Sequence, residues 1–152
     1  MLGKSRGMEM TRFTRYSEWL EQIPDGIRGD LLWSMEVYRT ALFAADISWH
    51  DLVPLQKVQG TRGLTDQLYR AVCSVSANIA EGYSKSGAKD RARFYEYALG
   101  SARESRDWYY KARHILGNEV TNHRLVELTS VIRLLITMIP RQRAAPNLRS
   151  DE

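Results

Sequence analysis

Apolar residues recur every three or four positions along four long stretches of the chain, which is the spacing of one helix face. No stretch alternates as a β-strand would. The first predicted helix begins near residue 31, and the others cover about 64–83, 88–116 and 121–139. The predicted inner positions, in chain order, are Leu31, Met35, Tyr38, Leu42, Ala45 and Trp49; Leu64, Leu68, Val72, Val75 and Ile79; Phe94, Ala98, Ser101, Ser105, Trp108, Ala112 and Ile115; and Leu125, Leu128, Ile132, Leu135 and Ile139.

Proline and glycine separate these stretches. Turns are predicted at residues 24–26, 54–63, 84–87 and 117–118, and Pro140 is predicted to end the last helix. Gly117 suits a left-handed cap that ends the third helix. Thr121 or Asn118 suits the start of the fourth.

Because the loops after the second and third helices are short, consecutive helices should pack antiparallel. The sequence therefore predicts an all-α fold, an up-down-up-down four-helix bundle with a short extra helical segment at the N-terminus. We expect an extension over residues 1–23, the bundle over 24–140 and a flexible tail over 141–152. Four apolar positions suggest the short helix: Phe13, Tyr16, Leu20 and Ile23.

The first long helix has apolar residues on a second face, where Trp33, Val37, Ala44 and Ile47 lie. A second apolar face needs another surface to cover it, which favours oligomerisation. Trp33, Trp49 and Trp108 are expected to be core or interface anchors.

Composition narrows the function classes. The 152 residues suit one domain, and the apolar run at residues 134–139 is far shorter than the ~20 residues that span a bilayer. The N-terminus lacks the apolar stretch of a secretory signal. We therefore expect a cytoplasmic protein with no membrane partner, in which the single cysteine, Cys73, is reduced and buried.

The sequence contains no motif typical of a catalytic site or a metal site. A di-iron bundle needs Glu-x-x-His on two helices, and no glutamate here has a histidine three residues later. His50, His114 and His123 are scattered, which favours surface or capping roles. No nucleophile–base pair and no phosphate-binding glycine loop is present. The sequence predicts a non-enzymatic protein with no cofactor and no metal.

The second helix carries the most specific motif. Residues 64–83 resemble the second helix of the bacterial 23S rRNA intervening-sequence proteins, a family of four-helix bundles. The matching positions are Gln67, Leu68, Arg70, Ala71, Ser74, Asn78, Ile79, Ala80, Glu81 and Gly82. The third helix matches the family pattern at Phe94, Ala98, Gly100, Ser101 and Glu104, but Arg106 stands where a second glutamate is usual. The likeness covers about residues 28–140.

The resemblance implies a homo-oligomer, commonly a pentameric ring, without an established activity. More distantly, the chain is similar to the accessory protein of diversity-generating retroelements, which binds nucleic acid beside a reverse transcriptase. The resemblance therefore implies two kinds of partner: further copies of this protein, and RNA or DNA.

A polar ribbon follows one side of the second helix, consisting of Gln67, Arg70, Ser74, Asn78 and Glu81. It suits a hydrogen-bond network that fixes helix register or a subunit contact, with Arg70 and Glu81 pairing with the third helix and Asn78 bridging backbone groups near Gly82. A ligand site is the alternative.

Charge is concentrated on the third helix. The chain carries a net charge of +4, with 17 arginines among its 22 basic residues, and residues 87–118 contribute +3. The acids avoid one flank, which holds Tyr95, Leu99, Arg103, Arg106, Tyr110 and Arg113. Arginines among tyrosines suit phosphate contacts and base stacking. They also suit an oligomer interface, and a third possibility is packing beneath the N-terminal segment.

The loop before the third helix adds Lys85 and Lys89 near helix ends, where free amides can bind an anion. Taken together, the sequence predicts a homo-oligomeric bundle that binds nucleic acid, or a nucleoprotein partner, through the third helix and this loop. The alternative is an assembly or protein-interaction module with no nucleic-acid role.

Overall fold

The helices expected from the apolar spacing are present in the computed structural model, which describes residues 10–146. That part of the chain is helical with no strand. The long helices are α3 (Glu36–Gln56), α4 (Arg62–Tyr83), α5 (Ala88–Leu116) and α6 (Asn118–Ala144). Before them lie α1 (Tyr16–Leu20), α2 (Asp25–Arg28) and a 3₁₀ turn over Leu31–Ser34.

The four long helices form the predicted up-down-up-down bundle. Helix α4 packs against α3 and α5, and α6 packs against α5 and α3, so the bundle closes. The predicted inner positions of α4 and α6 are confirmed, except that Leu64 and Leu125 are only half-buried. The short N-terminal helix is confirmed as α1, and the predicted turn at residues 24–26 is instead the start of α2.

Helix α5 has the predicted bounds but a rotated inner face. Ala98, Ser105 and Ala112 are buried as expected, and they share the core with Tyr95, Ala102 and Tyr109. The other predicted inner residues of this helix are only half-buried: Phe94, Ser101, Trp108 and Ile115. The core therefore holds two tyrosine rings that the sequence analysis did not place there.

The predicted inner face of α3 is wrong. Leu31 is 77% exposed and Trp49 is 59% exposed. The bundle core instead takes the face that carries Val37, Ala41 and Ala44. Leu31 lies in the 3₁₀ turn before α3, so its side chain does not continue the helical register.

The remaining apolar face of α3 is covered by the chain's own N-terminal segment. Trp19 of α1 is fully buried against Phe43 and Ile47, and its ring centroid lies 5.3 Å from that of Phe43. Its indole Nε1 donates a hydrogen bond of 2.7 Å to the Asp46 carboxylate. This face therefore needs no second subunit.

Helix ends differ from expectation around Gly117, Thr121 and Pro140. Gly117, between α5 and α6, has the expected positive φ of +79°, which favours glycine, but its ψ of 165° lies outside the left-handed helical region of the predicted cap. Thr121 is buried inside α6, and Asn118 is the first residue of that helix while Gly117 holds the N-cap position, so neither predicted cap is correct. Pro140 lies within α6, which continues to Ala144, so the start of the predicted tail is helical. Residues 147–152 of that tail, and residues 1–9 of the predicted N-terminal extension, lie outside the described part.

Polar side chains also bridge the core. Asp51 of α3, Tyr109 of α5 and Arg124 of α6 are all buried, and Tyr109 and Arg124 each donate a hydrogen bond to the Asp51 carboxylate. Arg124 also donates to the backbone carbonyl of Arg12, 2.8 Å away. This cluster joins three helices and the N-terminal segment.

Candidate nucleic-acid interface

Three arginines of the predicted flank lie along the side of α5 that faces α6. Arg103 is exposed, and Arg106 and Arg113 are half-buried. Arg106 Nη1 donates a hydrogen bond of 3.3 Å to Thr129 Oγ1 of α6, which fixes the position of this flank beside that helix. Arg113 Nη1 donates to the Tyr110 carbonyl at 2.8 Å.

No carboxylate among residues 10–146 forms an ion pair with these three arginines. The acids of α5 are engaged elsewhere: Asp90 with Arg93, Glu96 with Arg143, and Asp107 with Lys111. The remaining one, Glu104, accepts a hydrogen bond from the Trp108 indole. The flank therefore retains uncompensated positive charge, the condition in which arginine binds phosphate best.

One tyrosine of the predicted flank is available for stacking and one is not. Tyr110 is 56% exposed, and the Arg113 guanidinium lies 3.9 Å from its ring centroid. Tyr95 is only 2% exposed, and burial raises its pKa. The prediction that Tyr95 contacts nucleic acid is therefore wrong, because the inner face of α5 is rotated toward it.

The two loop lysines lie apart from this flank. Lys85 forms a 2.6 Å ion pair with Glu81 and lies over the Phe94 ring. Lys89 is exposed beside Arg93 and Arg143. Since 14 residues separate Lys89 from Arg103, the two are about 21 Å apart along the helix axis. The structure thus places the lysines at one end of α5 and the arginines in its second half.

Sequence reasoning missed the contribution of α6 to this surface. Arg133 is exposed, and it follows Thr129, the partner of Arg106, by four residues on the same side of α6. Val126 and Ile136 add exposed apolar area nearby on α6. The sequence signal is the spacing of Val126, Thr129, Arg133 and Ile136, which places them on one side of α6. We call Arg103, Arg106, Tyr110, Arg113 and Arg133 together the α5–α6 face.

The polar ribbon of α4 does not form the predicted internal network. Ser74 donates to the Arg70 carbonyl and Asn78 Nδ2 donates to the Ser74 carbonyl, both within α4. Glu81 pairs with Lys85, not with α5, and Arg70 forms no ion pair with the residues of α5, all of which the structure describes. Gln67, Arg70 and Glu81 are exposed, so the ribbon lies on the surface of the described chain.

The described residues offer no metal site, and their one cysteine is not activated. Residues 10–146 contain no group of three or more potential metal-binding side chains. Cys73 is half-buried rather than core, and burial raises its pKa, which disfavours the thiolate. No helix in the same part of the chain is long and apolar enough to cross a bilayer.

Comparisons with known proteins agree with this fold. A solved structure from Bacteroides thetaiotaomicron, described as a protein of unknown function from the S23 ribosomal protein family, superposes with a TM-score of 0.64. It is 23% identical, covering 68% of this chain and 97% of its own, so it supports the fold alone. No curated protein matches. The model of the 23S rRNA-intervening sequence protein family matches residues 34–137, so the chain belongs to that family.

Proposed function

We propose that this protein binds nucleic acid, RNA in the first instance, through the α5–α6 face. The observation that carries the proposal is the group of arginines without carboxylate partners around an exposed tyrosine. The family is named for a 23S rRNA intervening sequence, which makes RNA the first ligand to test.

The chemistry of the face fits a single-stranded or irregular RNA segment. Each arginine that neutralises a phosphate releases a condensed counterion, and this release supplies much of the affinity for nucleic acid. Tyr110 presents a ring on which a base can stack, a contact of about 1–3 kcal/mol. Unstacked bases are available in loops and bulges, whereas the deep groove of an RNA helix excludes side chains.

Fluorescence polarisation with a labelled RNA hairpin that carries a single-stranded loop tests the proposal. The double variant Arg103→Gln/Arg113→Gln should lose about ten-fold or more in affinity, since each lost phosphate contact removes one released ion. The control Arg15→Gln/Arg93→Gln removes the same charge from arginines that are already paired with Glu18 and Asp90.

The control variant should bind within about two-fold of the wild type if the location of the charge matters. If both variants lost the same affinity, net charge alone would explain the loss, and this result would contradict a dedicated binding face. Circular dichroism of each variant checks that helix content is unchanged.

A second candidate function is assembly through the α4 ribbon, with or without nucleic acid. At one end of the ribbon Glu81 pairs with Lys85, which lies over the Phe94 ring of α5. Phe94 packs edge-to-face on Tyr97, which is about half exposed. Polar side chains around aromatic rings are typical of subunit interfaces. In this proposal the protein forms a homo-oligomer, a pentamer according to the family resemblance.

Light scattering tests assembly. Asn78→Leu should lower the oligomer state or the solubility, because it removes a polar contact from the ribbon and leaves an apolar side chain in its place. Asn122→Leu, at an exposed position of α6, is the matched control. A monomeric wild-type protein would contradict this candidate. In either candidate we expect a cytoplasmic protein without catalysis or cofactor.

A further inference from the structure

A pocket of about 420 Å³ lies between the N-terminal segment and the helices α3 and α4. It lies on the α3–α4 side of the bundle, so it takes no part in the proposed α5–α6 face. Its size falls within the range of small-molecule sites. The lining residues are Trp19, Ile23, Ile27, Leu42, Ala45, Asp46, Trp49, Tyr69, Cys73 and Ser76.

Asp46 is the one carboxylate in this lining, which contains no basic side chain. Its Oδ2 atom accepts the hydrogen bond from the Trp19 indole, which orients the carboxylate. No lysine, arginine or histidine among residues 10–146 forms an ion pair with it. The second oxygen of an oriented carboxylate is therefore available to a ligand.

Three aromatic side chains line the same pocket as this carboxylate: Trp19, Trp49 and Tyr69. Trp49 is more than half exposed, and its ring packs edge-to-face on Tyr69 at a centroid distance of 5.9 Å. Aromatic rings attract cations through the negative potential of their faces. Ile27 and Leu42 supply apolar contact area for a hydrocarbon stem.

The other titratable groups of the pocket stay neutral near pH 7. Burial, and then the neighbouring Cys73 thiol, raise the pKa of Tyr69, and burial raises the pKa of Cys73. Asp46 is therefore the one group of the lining with a formal charge, and this charge is negative. A cation complements it, and an anion does not.

We propose that this pocket binds an organic cation, a guanidinium or alkylammonium group on a short apolar stem. The charged group pairs with Asp46, and the stem lies against the aliphatic and aromatic wall. The same chemistry is carried by free amines and by an arginine or lysine side chain of a partner protein, so the two sources are separated by experiment.

Cys73 can report whether the pocket is occupied, because it is the single cysteine of the chain and lines the pocket. Alkylation of Cys73 by iodoacetamide is followed in the full-length protein with increasing butylguanidinium. We expect saturable protection, with the rate falling about five-fold or more. N-butylurea, which has nearly the same shape without the charge, should protect little.

Asp46→Asn is the decisive variant, because the amide oxygen can still accept the Trp19 hydrogen bond while the charge is lost. The affinity for butylguanidinium should fall about ten-fold or more, as expected when a charged hydrogen bond is replaced. Asp107→Asn on α5 removes an equal charge from outside the pocket and should leave protection unchanged. Equal protection by N-butylurea, or unchanged affinity in Asp46→Asn, would overturn the proposal.

A glycine–serine peptide with one central arginine separates the sources. Protection by the peptide at lower concentration than by butylguanidinium identifies a protein side chain as the ligand. Protection by butylguanidinium alone identifies a small amine. Protection by neither overturns the proposal, and this result would leave RNA binding at the α5–α6 face unaffected.

Discussion

Arg124 of α6 and Asp51 of α3 form a two-point ion pair in the core of the bundle. Arg124 Nε lies 2.7 Å from Asp51 Oδ2, and Nη2 lies 3.1 Å from Oδ1. The side chains are 1% and 0% exposed. Tyr109 donates a further bond of 2.8 Å to Oδ2, and the Arg12 carbonyl accepts from Arg124. Arg12 Nη2 lies 3.6 Å from Oδ1, so a second arginine also contacts the Asp51 carboxylate.

Removing one partner of this pair should destabilise the fold strongly. Asp51→Leu leaves the buried Arg124 without its carboxylate, which costs about 3–5 kcal/mol. Arg124→Leu should cost less, because Arg12 Nη2 still lies 3.6 Å from Asp51 Oδ1. The double variant removes both charges, so its free energy of unfolding should lie well above the value expected from adding the two single losses. Urea unfolding of the four proteins measures this coupling. If the two single losses of stability simply add in the double variant, the two charges do not stabilise each other.

Gly82 should tolerate no side chain, because α4 and α5 approach closely there. A Cβ at this position would lie 2.8 Å from Tyr95 Cε1 and 2.9 Å from Phe94 Cβ. Gly82→Ala should lower the free energy of unfolding by about 1–3 kcal/mol, the usual effect of overpacking. Gly100→Ala, also inside a helix but with open space around it, should raise stability by up to about 1 kcal/mol. Equal effects of the two substitutions would contradict the close approach.

His123 should make stability depend on pH. Its Nδ1 lies 2.8 Å from Arg124 Nη1, and since arginine only donates, this nitrogen must be an unprotonated acceptor. Burial, and then Arg124, lower the pKa of His123 below its usual 6.5. The unfolded chain therefore takes up the proton first, so the stabilisation is present above pH 6.5 and is lost as the pH falls through the lowered pKa.

Urea unfolding at pH 7.5 and 5.5 measures this dependence. The wild type should lose more stability over that interval than His123→Gln, which cannot take up the proton. Burial raises the pKa of Glu127, which acts in the opposite direction, but Glu127 is present in both proteins and its effect cancels. An equal pH dependence of the two proteins would exclude His123 as the cause.

The apolar spacing predicted α4 and α6 well because each has one continuous inner face, such as Leu68, Val72 and Val75 on α4. It failed on α3 because that helix is apolar on two faces, and periodicity alone does not decide which one meets the bundle. The choice depends on Trp19, which buries Phe43 from outside the bundle.

On α5, small residues are common to two possible inner faces, so the sequence alone does not decide which way the helix is rotated about its axis. Ala98, Ser105 and Ala112 belong to both the predicted and the observed stripe, so the aromatic residues decide between the two. Only the three-dimensional packing shows that Tyr95 and Tyr109 enter the core. This rotation removed Tyr95 from the candidate site but left Tyr110 exposed.

The positions of Asp51 and Arg124 in the sequence contain a signal for the buried ion pair. Asp51 lies four residues from both Ile47 and Leu55, and Arg124 lies four residues before Leu128, so each charge occupies an inner position of its helix. Opposite charges at inner positions of two helices point to a buried pair. Their separation of 73 positions in the sequence hides the contact itself.

The salt dependence of RNA affinity tests nucleic-acid binding at the α5–α6 face most directly. Four arginines on phosphates predict that log K falls with log salt at a slope of about −3 for a single strand, and that Arg103→Gln/Arg113→Gln reduces the slope by about 1.4. The control Arg15→Gln/Arg93→Gln should keep the wild-type slope. No RNA binding by the wild type at low salt, or the same slope in all three proteins, would contradict the account.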